Sequence, residues 1–340
     1  MSRPQQNDTG QEHGQQRLVL LENWLQSLTD DVFTNIRPAS ADASFRRYFR
    51  VDRVQNAPSL IVMDAPPALE DIRPFLHVTR LLRGAGVHAP EILAQDTELG
   101  FVLLSDLGDR PYLDELNADT AESLYSDAIT TLVNMQLIED GLPRYDAGRL
   151  QAEMDLFEPW YLNRHLGIEL DASQRGELGK IFALLIQSAQ SQPQVFVHRD
   201  YHSRNLMRVD DNNPGVIDYQ DAVFGPVTYD LVSLFKDCYI EWPRERVEHW
   251  LDLWLGRTSI DIEVDYAAFL RWFDLMGVQR HLKVLGIFAR LNYRDGKPRY
   301  LDDLPLTLKY VIDTCHQYDE LAPLLELLET TVLTAQGAPR

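Results

Sequence analysis

The spacing of apolar residues predicts a small sheet-containing region in the first third of the chain. Residues 17–28 place Leu18, Leu21, Trp24, Leu25 and Leu28 on one helical face, so they predict an opening helix. A strand, a turn, two strands, a helix and two strands then follow. The last four strands are predicted at 45–51, 59–63, 91–95 and 101–104, and the helix is predicted at 71–83. This order is typical of an antiparallel α+β unit.

Helical periodicity dominates after residue 105. Long helices are predicted over 119–138, 149–165 and 171–190, and short strands over 195–197, 206–209 and 216–217. The fold class is therefore α+β, with a small antiparallel-sheet N-lobe and a larger, mostly helical C-lobe. We assign residues 1–16 to a disordered tail, 17–105 to the N-lobe, and 106–340 to the C-lobe.

Composition and charge exclude several classes of partner. The formal net charge of −20 disfavours nucleic acid and anionic membranes, which are bound through Lys- and Arg-rich surfaces. Two cysteines cannot build a disulfide framework. Neither a signal peptide nor a membrane-spanning run is present in the sequence, which favours the cytoplasm.

The most informative stretch begins at His198. Residues 198–205 read His-Arg-Asp-Tyr-His-Ser-Arg-Asn, which matches the kinase catalytic-loop pattern H-R-D-x-x-x-x-N. Transfer of a phosphoryl group requires a carboxylate that accepts the proton of the acceptor hydroxyl, and an amide nearby that binds the metal at the phosphates. We therefore predict Asp200 as the catalytic base and Asn205 as a Mg²⁺ ligand, with His198 bracing the loop backbone.

Two further carboxylates follow at spacings that fit this chemistry. Asp218 ends the apolar run Val216-Ile217, and a carboxylate there suits a hard cation, so we predict it as the second Mg²⁺ ligand. Asp230 begins a helix and is predicted to accept hydrogen bonds from the catalytic-loop backbone. Each residue alone has an ordinary structural explanation, but their order after short apolar strands favours a functional site.

At these residues the chain resembles the aminoglycoside phosphotransferase-like kinases. This resemblance implies a protein-kinase-like bilobal fold with ATP and Mg²⁺ as cofactors. It also implies that the nucleotide lies between the lobes, with adenine against Ser105, Asp106 and Leu107. Residues 43–50, 62–67 and 277–283 resemble in particular the bacterial anomeric kinases of N-acetylmuramate and N-acetylglucosamine in cell-wall recycling. The resemblance implies that the N-lobe binds the nucleotide and that the C-lobe carries the catalytic, metal and acceptor sites. The implied product is a sugar 1-phosphate.

One departure from the family concerns the nucleotide-binding lysine. The position where that lysine should end a strand reads Met63-Asp64, and its partner glutamate aligns with Phe75. The nearest basic substitutes at the nucleotide phosphates are Arg46, Arg47 and Arg50, since arginine also binds phosphate. The alternative is that these arginines are solvated strand residues.

The acceptor site is predicted from a basic segment near the end of the chain. A muramate carboxylate calls for a cation, and candidates are Arg280, His281, Lys283, Arg290 and Arg294, with Glu153, Asp155 and Glu158 for sugar hydroxyls. Structural ion pairs are the alternative for each. Other possible acceptors are an aminoglycoside, choline or an amino alcohol, and a non-catalytic pseudokinase is the alternative from another class.

Overall fold

The computed structural model describes residues 6–28, 33–40, 45–54, 57–139 and 141–333, without the side chains of 6–13, 40 and 333. These residues fall into two compact units. Unit 1 contains the described residues of Met1–Arg80 and Ala89–Gly108, and unit 2 contains those of Leu81–His88 and Asp109–Arg340.

Unit 1 is built on an antiparallel sheet. The described strands pair in the order β1-β2-β3-β5-β4, and the sequence patterns predicted them. Strands β3 and β5 are almost entirely buried. Helix α2 (Arg73–Gly84) follows β3. The strands span Phe33–Ser40 (β1), Arg47–Arg53 (β2), Leu60–Asp64 (β3), Ile92–Asp96 (β4) and Phe101–Ser105 (β5).

The first helix begins much earlier than its apolar face predicts. Helix α1 spans Gln6–Leu28, so the part of the predicted disordered tail from residue 6 to residue 16 is helical instead. The prediction was wrong there because polar composition says little about helicity, and Gln and Glu are good helix formers. Leu21, Trp24 and Leu25 pack against β2, β3 and β5, as the helical face predicted.

Unit 2 is mostly helical, as predicted. Its short strands pair as β6 with β9 and β7 with β8. They span Gln194–Val197 (β6), Leu206–Met207 (β7), Gly215–Val216 (β8) and Val223–Pro226 (β9). The helices span Tyr112–Glu115 (α3), Ala121–Gln136 (α4), Ala147–Met154 (α5), Ala172–Gln190 (α6), Tyr229–Phe235 (α7), Arg244–Leu255 (α8), Tyr266–Tyr293 (α9), Leu304–Cys315 (α10) and Ala322–Leu327 (α11). Short π- and 3₁₀-helical segments span Phe157–His165, Pro298–Asp303, Asp319–Leu321 and Leu328–Leu333.

The long helix α9 is the centre of unit 2. Nearly all of its residues from Phe273 to Leu291 are buried, between α7 and α10 and against the π-helical segment Phe157–His165. That segment continues α5 after a break, where the sequence predicted one helix over 149–165. In the part of the chain that the structure describes, no helix has the length and apolar composition needed to span a bilayer.

Candidate active site

The loop after β6 is fixed by a carboxylate of α7. Asp230 is fully buried and accepts hydrogen bonds from the backbone nitrogens of His198, at 2.6 Å, and Arg199, at 3.0 Å. Burial raises the pKa of Asp230 to about 7, although the two backbone donors favour its charged form. Arg199 has a φ of +77°, and the Asp230 contacts hold the loop in this uncommon conformation.

His198 links the two segments that carry the predicted catalytic residues. Its Nε2 lies 3.1 Å from the carbonyl oxygen of Ile217, and its Nδ1 accepts from the backbone nitrogen of Asp200 at 3.3 Å. Since the carbonyl oxygen can only accept, we infer the Nε2-protonated tautomer. Burial lowers the pKa of His198 to about 4, so the ring is neutral at physiological pH. The histidine therefore joins the backbone of the two segments, as its predicted bracing role requires.

Asn205 and Asp218 lie side by side in this arrangement. The Asn205 Nδ2 is 3.0 Å from the backbone oxygen of Asp200 and 3.4 Å from the Asp218 Oδ2. The backbone nitrogen of Ile217 donates to the Asn205 carbonyl oxygen at 3.1 Å, which holds the two segments together. Asp218 has a φ of +64°, and Gln220 donates to its Oδ1 at 2.9 Å. The predicted metal ligands are thus adjacent in space.

This pair of oxygen-bearing side chains fits Mg²⁺ bound together with a nucleotide. Among the described residues, no group of three or more His, Cys, Asp or Glu side chains is arranged to hold a metal. Mg²⁺ at such sites takes one or two protein ligands and fills its octahedron with water and phosphate oxygens. Asn205 and Asp218 meet that requirement, whereas a dedicated all-protein metal centre would need more ligands.

Asp200 lies in a strongly cationic environment. Burial would raise the pKa of its carboxyl group, but Lys283, His202, Arg199 and Arg280 lower it, and their combined effect prevails. Asp200 is therefore ionised at neutral pH, which is the state that can accept a proton. Two of these groups, Arg199 and His202, come from the catalytic loop, and Lys283 and Arg280 come from α9.

A largely buried carboxylate of α5 is shared by two of those groups. Glu153 pairs with Arg199 and also with Lys283, at 3.3 Å, and it accepts a hydrogen bond from the Tyr145 hydroxyl. Burial would raise the pKa of Glu153, but Lys283 and Arg199 lower it. Lys283 also donates to the Tyr229 hydroxyl at 2.9 Å. Glu153 therefore holds the Arg199 side chain of the catalytic loop against α9.

The structure separates the predicted acceptor-site residues into two groups. Arg280, Lys283 and Glu153 lie near the catalytic loop. His281 instead is buried against Lys236, whose carbonyl oxygen lies 2.9 Å from its Nε2, and its ring stacks on Tyr310. The remaining candidates have local contacts: Asp155 with Gln151, Glu158 with Arg175, and Arg294 with Asp295. Arg290 is half-buried, about 15 Å further along α9 than Arg280.

The three arginines predicted at the nucleotide phosphates form ion pairs within unit 1. Arg47 binds the buried carboxylate of Asp64 through its Nε at 3.0 Å, and Arg17 binds the same carboxylate. Arg50 binds Asp106 through its Nη2 at 3.0 Å, and Arg46 lies 3.9 Å from Glu70. Their role at the phosphates stays a prediction, and residues 41–44 of the adjacent turn lie outside the described residues.

The predicted adenine-binding segment ends strand β5. The Ser105 hydroxyl accepts from the backbone nitrogen of Glu91 at 2.8 Å, and Leu107 is buried. The Asp106 carboxylate accepts hydrogen bonds from Arg50, from the Ser59 hydroxyl at 2.7 Å and from the backbone nitrogen of Gly108 at 2.9 Å. The Asp106 side chain is thus engaged within unit 1, and adenine recognition by this segment stays a prediction about its backbone.

Several residues of the site were missed from the sequence. Tyr145, His202, Tyr229 and Gln279 all contact the Glu153 network or affect Asp200, and Arg17 joins the Asp64 ion pairs. His202 lies inside the catalytic-loop pattern, so its position was a usable signal. Tyr229 directly precedes the predicted Asp230, and Gln279 lies in the segment 277–283 that carries the resemblance, so both positions also offered a signal. Tyr145 and Arg17 come from segments with no recognisable spacing to the loop.

The fold and the loop define a phosphotransferase of the protein-kinase-like class. Residues 35–270 match the model of the phosphotransferase enzyme family, and the chain belongs to that family. The chain is 48% identical to the N-acetylmuramate/N-acetylglucosamine kinase of Pseudomonas aeruginosa over 92% of this chain and 96% of that protein. It is 42% identical to the N-acetylmuramate/N-acetylglucosamine kinase of Neisseria meningitidis, over 92% of this chain and 95% of that protein.

Solved structures share the fold at low sequence identity. The ADP-bound aminoglycoside phosphotransferase APH(2'')-Ib is 14% identical, with a TM-score of 0.58 over 87% of this chain and 97% of that one. The choline kinase of Streptococcus pneumoniae is 12% identical, with a TM-score of 0.64 over 87% of this chain and 99% of that one. The predicted protein-kinase-like fold is confirmed.

Proposed function

We propose that this chain is a cytoplasmic kinase that transfers the γ-phosphoryl group of ATP to the anomeric hydroxyl of N-acetylmuramate and N-acetylglucosamine. The observation that carries the proposal is the loop geometry around Asp200, Asn205 and Asp218 in a chain nearly half identical to kinases of that name. Similarity to choline and aminoglycoside kinases supports the fold alone, because those identities are so low.

Asp200 acts on the acceptor hydroxyl. Its ionised carboxylate orients the anomeric O–H and receives the proton as the sugar oxygen bonds to the γ-phosphorus. The bond between that phosphorus and the bridging oxygen of ADP breaks, and ADP leaves with the electron pair. The products are ADP and the sugar 1-phosphate, a form suited to recycling into peptidoglycan precursors. Positioning and charge neutralisation supply most of the rate in such transfers.

Asn205 and Asp218 would hold Mg²⁺ through their side-chain oxygens. The ion supplies neutralisation of the phosphate charge when bound. The chain's own contribution is to fix both side chains: Asn205 through its bond to the Asp200 carbonyl, and Asp218 through Gln220. The loop that carries the base is thereby tied to the residues that would carry the metal.

The test measures ATP consumption with each sugar, with choline and with an aminoglycoside, and assigns the phosphorylated position by NMR. We expect turnover of the two sugars at the anomeric position. Asp200→Asn should lower kcat about 10²–10⁴-fold, as expected on loss of a general base, while the folded spectrum is retained. Turnover of only choline or the aminoglycoside, or of nothing, would overturn the substrate assignment. A folded Asp200→Asn variant within a few-fold of wild type would overturn the role of Asp200.

A further inference from the structure

Several buried polar atoms around the catalytic loop have no hydrogen-bond partner among the described residues. These atoms are Arg199 Nε, His202 Nδ1, Gln220 Oε1, Gln279 Oε1 and Arg280 Nε. Folded proteins pair nearly all buried polar groups, because leaving one unsatisfied is costly. Such a concentration beside Asp200 indicates that a bound ligand completes these hydrogen bonds.

The charges in this region single out one cation. Arg199 and Lys283 share the carboxylate of Glu153. Arg280 is 3% exposed and forms no ion pair within the described part of the chain. Its one hydrogen bond there is from Nη1 to the Cys238 Sγ at 3.6 Å, a weak acceptor.

The carboxylates near Arg280 are engaged elsewhere. Asp237 accepts hydrogen bonds from the Ser203 backbone nitrogen at 3.0 Å and from the Ser203 hydroxyl. Asp200 is the predicted base. Both carboxylates affect the pKa of Arg280, but neither forms an ion pair with it in the described structure. A guanidinium this buried is normally paired, and it presents a rigid fork that suits a carboxylate.

We propose that Arg280 is the specificity residue that binds the lactyl carboxylate of N-acetylmuramate. The inference rests on the proposed function and deepens it. The two sugars share the anomeric carbon and the acetamido group, and only N-acetylmuramate carries a carboxylate, on the ether at O3. That carboxylate pairs with Arg280, whereas the groups common to both sugars use the remaining unpartnered atoms of the loop and Gln279.

The test combines a charge change in the protein with a charge change in the substrate. Wild type and Arg280→Gln are assayed with N-acetylmuramate, its uncharged lactyl amide and N-acetylglucosamine. A charge-assisted hydrogen bond predicts that Arg280→Gln loses about ten- to a hundredfold in kcat/KM for N-acetylmuramate. The loss should be much smaller for the amide and for N-acetylglucosamine, so acid and amide become similar substrates of the variant. Arg280→Lys, which keeps the charge but not the fork, should fall between.

Arg271→Gln is the matched control. It removes a cation from the same helix, where Arg271 is partly exposed and pairs with Glu320, so all substrate ratios should stay at the wild-type value. Equal losses of Arg280→Gln on all three substrates would mean that Arg280 acts only on the loop, and would overturn the inference. If Arg280→Gln does not fold, two other results would each overturn the inference. The first is that wild type has equal kcat/KM for N-acetylmuramate and its amide. The second is that Arg280→Lys keeps the wild-type ratio of kcat/KM between these two substrates. Failure of wild type on both natural sugars would instead reject the proposed function.

Discussion

The contact between α9 and the backbone after α5 depends on Gly286. A Cβ built at this residue would lie 2.5 Å from the carbonyl carbon and 2.6 Å from the carbonyl oxygen of Leu156. Carbon atoms in favourable contact are about 3.5–4.0 Å apart. The obstacle is backbone, which cannot move aside by changing a rotamer. Gly286→Ala must therefore push α9 away from Leu156 or distort one of the two segments.

Alanine at this position has one opposing advantage, and the two effects can be compared. Alanine is favoured over glycine in a helix by about 1 kcal/mol. Overpacking typically costs about 1–3 kcal/mol and sometimes more. With so close an approach to backbone we take the upper part of that range, so Gly286→Ala should lower the free energy of unfolding by about 1–2 kcal/mol net.

The same helix offers a matched control in Gly277. A Cβ there would meet Lys236 Cδ and Val232 Cγ1 at 3.8 Å, which is ordinary van der Waals contact. Gly277→Ala should therefore be neutral or raise the free energy of unfolding by up to about 1 kcal/mol. Urea unfolding of both variants, followed by fluorescence and circular dichroism, measures the difference. Equal midpoints for the two variants would refute the argument.

The catalytic site should register the same displacement. Leu156 follows closely after Glu153, and Lys283 precedes Gly286 by about one helical turn. Separating the two backbones would therefore weaken the Glu153–Lys283 contact of 3.3 Å. We expect a lower kcat for Gly286→Ala and a kcat close to wild type for Gly277→Ala.

Three further predictions test other parts of unit 2. Asp274→Ala removes the buried partner of Lys236, which lies 2.8 Å away, and should lower the free energy of unfolding by about 3–5 kcal/mol; an unchanged urea midpoint would contradict this. Burial lowers the pKa of His281 to about 3, below an unfolded value of about 6.5. The shifted pKa has no effect on the free energy of unfolding above pH ~6.5 and lowers that free energy as pH falls toward 3, because the unfolded state then binds more protons. His281→Gln should therefore make urea midpoints less dependent on pH between 6.5 and 4. An unchanged pH dependence would mean that the buried ring titrates normally, against this reasoning. Asp218→Ala should abolish metal-dependent turnover, whereas excess Mg²⁺ should partly rescue Asn205→Ala; equal rescue of both would argue against the assigned ligands.

The catalytic loop could be predicted because its chemistry is contiguous in the chain. Asp200 and Asn205 lie in one short pattern, and Asp218 and Asp230 follow at the ends of short elements. The backbone between such residues is short, so their spacing restricts where they lie in space. Strands β3 and β5 of unit 1 were predictable for a similar reason, since each is a compact apolar run between turns.

Ion pairs between distant segments were not predictable in the same way. Asp64 binds Arg17 and Arg47, and Glu153 binds Arg199 and Lys283. These partners are far apart in sequence, and a charged residue carries no pattern that identifies its counterion. The register of β2 against β3, the packing of α1 on the sheet and the packing of α5 beside α9 decide which charges meet.

The side of α9 that faces the catalytic loop was decided by tertiary structure alone. A helix at a protein surface reveals its orientation through an apolar stripe, but α9 is buried on all sides along much of its length. Arg280 and His281 are neighbours in sequence and point about 100° apart around the helix axis. Arg280 therefore lies beside the catalytic loop and His281 lies against Tyr310 and Lys236, a difference that only the packed helix determines.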